Sequence, residues 1–179
     1  MMQHLSLKIK FLQYAMLFLL HGMWLSSCSE TSVYIVRHAE KDTINATNPP
    51  LTPAGMQRAQ DLAAVLNNDH ITKIYSTNFV RTLATVQPTA DQQGVSVTLY
   101  NTIPELEKTI SFGNKKNILI AGHSNTILEI AEMLGTDPVR QQIEDTDFDN
   151  LLIVKKTRFL FWDKSVLKET TYGSPTLPE

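Results

Sequence analysis

Cysteine is nearly absent: Cys28 is the single one in 179 residues, so the chain can form no internal disulfide and its core must hold by packing. A membrane-spanning run is also missing. The apolar stretch from Phe11 to Leu25 is about 15 residues long and carries Gln13 and His21, short of the roughly 20 residues a spanning helix needs. Basic excess is lacking too. The formal net charge is −2, and without Lys8 and Lys10 of the first 27 residues it is −4, from 14 basic and 18 acidic groups. Nucleic-acid binders show basic excess or basic stripes, so no nucleic-acid partner is expected. No His-Glu-x-x-His occurs and the acids near the histidines do not keep ligand spacing, which speaks against a zinc site. No internal repeat is present.

Residues 1–27 read as a secretory leader, with Lys8 and Lys10 as its basic start, the apolar stretch, and then Leu25-Ser26-Ser27-Cys28. That ending is similar to the lipobox of bacterial lipoproteins. The resemblance implies cleavage before Cys28, acylation of Cys28 and an exported protein anchored to a membrane, on the periplasmic side or at the cell surface. A plain signal peptide with an incidental cysteine is the other reading. Residues 28–179 are long enough for one domain with a proper core.

Within that domain Glu30 to Ser32 reads as a tether, and Val33-Tyr34-Ile35-Val36 as a strand buried on both faces. After an irregular loop a helix begins with Thr52 as cap, Pro53 at the first position and Leu51 stapled to Met56; Met56, Ala59, Leu62, Ala63 and Leu66 form its apolar stripe. Ile71 to Tyr75 predicts a second strand. A helix over about Phe79 to Gln92 follows, capped by Ser76, Thr77 or Asn78, kinked at Pro88 and closed by Gly94. Val95 to Tyr100 predicts a third strand, Pro104 to Ile110 a short helix, Asn117 to Ala121 a fourth strand, and Ser124 to Leu134 a helix stopped by Gly135. Leu151 to Val154 and Arg158 to Trp162 predict a hairpin turning at Lys155 to Thr157, with Phe161 and Trp162 in its core; the tail from Tyr172 reads as loose. Strands alternating with helices imply an α/β fold: a three-layer sandwich with a mainly parallel central sheet, helices on both faces and an antiparallel C-terminal hairpin.

The chemistry gathers at strand ends. Arg37-His38-Ala39-Glu40 follows the first strand, Arg81 falls in the first turn of the helix after the second, and His123 lies between the fourth strand and its helix. A guanidinium grips phosphate oxygens in a fixed fork, and an imidazole nitrogen can attack phosphorus. In open parallel sheets ligands bind beyond the carboxyl ends of strands, where helix N-termini also favour anions. Two arginines and two histidines gathered there would repel one another without an anion. Glu40 either shapes the pocket or faces water, Thr52 is chiefly a cap, Asn125 serves the helix start, and His70 is exposed. The pairs Lys115-Lys116 and Lys155-Lys156 read as solvated turns and receive no function.

Four spaced motifs resemble the histidine phosphatase superfamily, the phosphoglycerate mutase-like group. They are Val36-Arg37-His38-Ala39-Glu40-Lys41, Pro50-Leu51-Thr52-Pro53-Ala54-Gly55, Ser76-Thr77 with Arg81-Thr82, and Gly122-His123-Ser124-Asn125. The resemblance implies a phosphatase that needs no metal or other cofactor. His38 would attack phosphorus and form a phosphohistidine that water hydrolyses; Arg37 and Arg81 would hold the phosphate oxygens, and His123 would donate a further hydrogen bond. Relatives supply the leaving-group proton from a glutamate after the third strand or an aspartate after the second histidine. Here Ser124 follows His123, which leaves Glu105 and Glu107, with Glu105 better placed. The short sequence between the second strand and His123 implies an open pocket suited to a phosphorylated protein or small phosphomonoesters, phosphohistidine included. A mutase, which needs extra segments to exclude water, is disfavoured. The alternative is a non-catalytic phosphate- or phosphopeptide-binding lipoprotein of the same fold.

Overall fold

The apolar run expected as a buried strand is the middle of a longer one. The structure, a computed structural model, describes residues 29–44, 47–112, 116–159 and 162–176; the leader, Cys28 and the packing of Phe161 and Trp162 lie outside the described residues. β1 runs from Ser29 to Arg37, so Glu30 to Ser32 are strand rather than tether. Their polar side chains do not matter to the ladder, because Thr31 pairs with Lys116 on one side and Lys156 on the other.

Six strands form one sheet in the order β3-β2-β4-β1-β5-β6. β2 (Ile71–Thr77), β3 (Val97–Tyr100) and β4 (Lys116–Gly122) join β1 in the parallel part. β5 (Asn150–Phe159) and β6 (Trp162–Thr171) add an antiparallel edge. The turn of that hairpin is therefore not at Lys155 to Thr157, which lie inside β5. Lys155 pairs with Ser32 and Val166, a backbone arrangement indifferent to its charge.

Alternation along β1 divides the core. Val33 and Ile35 face a cluster with Ile118, Ile120, Leu106, Ile127 and Ile130, which belong to β4, α3 (Ile103–Thr109) and α4 (Ile127–Met133). Tyr34 and Val36 face the opposite cluster, with Leu62 and Leu66 near α1 (Pro53–Val65) and Val86 and Ala90 of α2 (Val80–Gln93). The result is the expected three-layer α/β sandwich. Each fully buried leucine or isoleucine in these layers contributes about 1.5–3 kcal/mol.

Helix starts follow local chemistry with two departures. In α1, Thr52 accepts from the Gly55 amide at 3.1 Å and Pro53 opens the helix. A side chain at Gly55 would clash with the Glu40 carbonyl, so only glycine lets the helix approach this closely. Met56 is exposed rather than part of the stripe, while Arg58 is buried. In α2 the cap position is Phe79, not Ser76, Thr77 or Asn78; the Val80 amide is satisfied from outside by Asn48 Oδ1 at 2.9 Å.

Arg58 explains both its own burial and the ordered tail. Its Nε donates to both Glu40 oxygens at 3.0 Å, its Nη2 to Glu40 Oε1 at 2.7 Å, and its remaining donors reach the carbonyls of Tyr172 and Ser174. Tyr172 is buried, and Thr176 Oγ1 accepts from the Phe148 and Asp149 amides. The tail through Thr176 is thus held by hydrogen bonds, which its polar sequence did not suggest. Removing one partner of a buried pair leaves an uncompensated charge. Arg58→Ala is expected to lower the unfolding free energy by about 3–5 kcal/mol, read from urea denaturation; a loss below about 1 kcal/mol, ordinary for an exposed pair, would contradict this account.

Candidate active site

Sequence runs outward from β1 to β2 and β3, then returns to β4, which sits between β2 and β1. This reversal opens a crevice beyond the carboxyl ends of β1 and β4. The last rung pairs Arg37 with Gly122, and the His38 amide donates to the Gly122 carbonyl at 3.0 Å. His38 and His123 are thereby delivered side by side, ring centroids 5.4 Å apart and edge to face.

His38 is buried, and its Nδ1 lies 2.8 Å from the Ala39 carbonyl. A carbonyl only accepts, so Nδ1 carries the proton and Nε2 keeps its lone pair. Ala39 is itself held, because its amide donates to Thr85 Oγ1 at 2.9 Å while that hydroxyl donates to the Arg81 carbonyl at 2.7 Å. His123 Nε2 lies 3.1 Å from Thr77 Oγ1. Thr77 donates its own proton to Thr82 Oγ1 at 2.9 Å, and Thr82 in turn bonds backbone carbonyls. Counting protons along this chain makes His123 Nε2 the donor to Thr77. Gly122 is required here: a Cβ would meet Thr126 Oγ1 at 2.7 Å, and that hydroxyl accepts the His123 amide at 2.9 Å.

Arg37 is almost fully buried, and its terminal nitrogens are gripped by backbone. Nη1 donates to the Glu144 and Asp147 carbonyls at 2.6 and 2.9 Å, and Nη2 to the Asp145 carbonyl at 2.9 Å. Phe148 lies against the guanidinium at 4.2 Å. Arg81 stacks on Phe79 at 4.3 Å and makes no ion pair among the described residues. The Nε–H groups of both arginines are buried and have no hydrogen-bond partner among the described residues. Two orphaned cationic donors beside two histidines describe a place for an anion.

Sequence reasoning passed over three contributors. The segment from Glu144 to Phe148 holds Arg37 through main-chain carbonyls, which leave no signature in side-chain chemistry. Lys41, next to Glu40 in the first motif, adds positive charge at His123. Thr85, on the buried face of α2, steadies Ala39 and was invisible to a search for apolar periodicity. Glu40 is settled as a structural partner of Arg58.

The carboxylates are less well joined to the histidines. Glu105 is exposed in the first turn of α3, where it accepts from Asn101 N and Nδ2 at 2.9 and 3.2 Å. Glu107 is likewise exposed. A cleft of about 610 Å³ is shared by His123, Thr77, the α3 start at Thr102 and Pro104, and Glu129 of α4. No group of three or more metal-ligating side chains lies together among the described residues.

Both imidazoles are held neutral. His38 is lowered from the ordinary 6.5 to about 3, by burial first and then by Arg37, Arg81 and His123, with the Ala39 carbonyl opposing. His123 falls to about 4, by burial and then by Arg81, Arg37 and Lys41. Between these values and 6.5 the unfolded chain binds more protons than the folded one, so stability falls as pH drops through that window. Urea unfolding is expected to show the loss between about pH 6.5 and 4, with a shallower slope in His38→Asn. Equal slopes in the two proteins would mean that His38 is not buried neutral.

Residues 33–109 match the family described as histidine phosphatase superfamily (branch 1). No curated protein matches the chain. Among solved structures, a protein of Nakamurella multipartitia assigned as the phosphohistidine phosphatase SixA aligns with a TM-score of 0.57 at 14% identity, over 84% of this chain and 98% of its own. Protein histidine phosphatase SixA complexed with tungstate aligns with a TM-score of 0.53 at 16% identity, over 75% and 96%. A mycobacterial glucosyl-3-phosphoglycerate phosphatase gives a TM-score of 0.55 at 12% identity, over 74% and 98%; that enzyme is also known with VO3 and with inorganic phosphate. At these identities the structural likeness is one of fold. The family match spans residues 33–109, which hold Arg37, His38 and Arg81, and stops before His123.

Proposed function

We propose that this chain is a hydrolase of phosphomonoesters or phosphohistidine that works through a covalent phosphohistidine on His38. One observation carries the reading. His38 has Nδ1–H fixed on the Ala39 carbonyl, which leaves Nε2 free beside the positive charge of Arg37 and Arg81 and the neutral ring of His123. In the first step Nε2 bonds to phosphorus and the bond from phosphorus to the leaving oxygen, or leaving imidazole nitrogen, breaks. In the second, water attacks phosphorus, the phosphorus–nitrogen bond breaks and inorganic phosphate departs. Arg81 and the free Nε–H of Arg37 stabilise the charge that spreads over the equatorial oxygens. Burial keeps His38 neutral and able to attack throughout the physiological range.

An alcohol leaving group needs a proton. We assign this to Glu105, whose carboxylate must first leave Asn101; Glu129, which lines the cleft with His123, is the second candidate. A substrate with a better leaving group, such as phosphohistidine, needs the donor less. The exposed position of Glu105 is also what favours the alternative, a phosphate- or phosphopeptide-binding protein without turnover. The pattern ending at Cys28 supports an acylated, exported protein held at a membrane.

His38→Ala is expected to reduce hydrolysis of a chromogenic phosphomonoester by at least about a thousand-fold, while tungstate still protects the variant against thermal unfolding. Wild-type turnover no greater than that of His38→Ala, with anion binding retained in both, selects the binding protein. Arg81→Ala is expected to cost about a hundred-fold or more in kcat. Cys28→Ser is expected to release the protein from the membrane fraction; unchanged membrane association removes the anchor.

A further inference from the structure

Room for the group that carries the phosphate lies beside His123. The cleft of about 610 Å³ that His123 shares with Thr77 is walled by the starts of α3 and α4. Phe79, Tyr100, Ile103 and Pro104 give it an aromatic and apolar lining, the kind that holds a small organic body. Phe79 meets the His123 ring edge to face at 5.2 Å, so this lining starts directly at the histidine pair. Tyr100 is fixed in place, because its hydroxyl donates to the Ala121 carbonyl at 3.0 Å.

Charge divides the site in two. On one side stand Arg37 and Arg81, and Arg37, only 2% exposed, keeps an Nε–H with no partner among the described residues. A buried donor of that kind points to an anionic acceptor. In the cleft no lysine or arginine occurs among the described lining residues, and His123, lowered to about 4, adds no charge at neutral pH. Glu129 does, and it has neither an ion pair nor a hydrogen bond among the described residues. Glu129 also lines a second cleft of about 530 Å³, with Glu132, Glu144 and Asp145 and again no described cation. Asp145 leans on Arg37 at 3.7 Å, and Glu144 accepts from Gln142 Nε2 at 2.7 Å. Lys41, whose charge reaches His123, lines neither cleft.

Acids alone would be an ordinary solvated face. Next to a phosphate site with an orphaned buried donor, they select what the phosphate is attached to. A second phosphate or a carboxylate on that group would meet Glu129 with no cation to answer it, and such a like-charge contact discriminates against a ligand. We propose that the phosphate this site takes is borne on an aromatic or apolar body without negative charge of its own, and that Glu129, with the acids of the second cleft, favours a positive charge on that body. The proposal rests on the phosphatase reading and narrows it. Phosphorylated hydroxy acids and bisphosphates are excluded; a phosphorylated phenol or imidazole near an ammonium or guanidinium group is admitted.

Phenyl phosphates carrying a para methyl, aminoethyl or carboxymethyl group isolate the charge. A saturated carbon separates each charge from the ring, so the three phenols are leaving groups of similar acidity. At neutral pH and low salt the expected order of kcat/KM is aminoethyl, methyl, carboxymethyl, with about ten-fold between first and last, and the spread shrinks at high salt. In Glu129→Gln it is expected to fall to about three-fold. The spread is a ratio within one protein, so any loss of proton donation by Glu129, which slows all three esters, cancels. Equal kcat/KM for the three, or a preference for the carboxymethyl ester, overturns the proposal and leaves the phosphatase reading standing. The same esters and ethyl phosphate are then compared as protectants of His38→Ala against thermal unfolding, which requires binding but no turnover. The same order is expected, with the methylphenyl ester protecting more than ethyl phosphate; equal protection by those two means that the apolar walls are unused and overturns the proposal. If wild type hydrolyses none of the esters while protection keeps the order, the phosphatase reading falls and the charge preference stands.

Discussion

Parallel pairing of β1 with β4 is the constraint on which the site depends. Its last rung joins Arg37 to Gly122, and the next amide, that of His38, still reaches the Gly122 carbonyl. Two histidines separated by 85 positions thereby become neighbours without any side-chain contact having to bring them there. The apolar residues behind them, Val33 to Val36 and Ile118 to Ala121, are all buried and fix the register, because a slip by one would turn each of them to the wrong layer. The site is precise because the core beneath it is.

What stands on that platform is electrostatically incomplete. One buried guanidinium, one half-buried guanidinium and two neutral imidazoles share a small space, with carboxylates confined to its margins. Asp145, the acid nearest Arg37 at 3.7 Å, is 96% exposed and offers little compensation. The main-chain carbonyls of the Glu144 to Asp147 segment offset part of the charge on Arg37, as dipoles do when a full countercharge would block the pocket. In the proposed function an arriving phosphate would supply what is missing, and the same arrangement would stabilise it more as its charge spreads during transfer.

The features read from sequence were those with a local physical signature. An unbroken apolar run rich in β-branched residues identified β1, and Thr52-Pro53 identified the start of α1. Arg37, His38, Arg81 and His123 stood out because strong hydrogen-bonding groups at strand ends are poor packing material. Missed were features whose cause lies elsewhere in the chain. Arg58 sits on an otherwise apolar face and reads as an error in the stripe until Glu40, 18 residues earlier, is seen beside it. Thr82, Thr85 and Thr89 form a buried helical face that hydrophobicity does not register. The full length of β5 was hidden because its outer half pairs through backbone, whatever its side chains. The relation of Glu105 to the histidines belongs to the same class, since helix capping and proton donation ask for the same residue at the same position.

The connection between the tail and Arg37 has a consequence of its own. Thr176 accepts from the amides of Phe148 and Asp149, its own amide bonds Asp149 Oδ2, and the Tyr172 amide bonds the Asp149 carbonyl. These contacts brace the very segment whose carbonyls hold the Arg37 guanidinium. A ribosome that has delivered both histidines and the whole sheet has still not delivered the clasp. The hold on Arg37 is therefore completed by residues that follow β6, and proteolytic trimming there would slacken it while sparing the sheet.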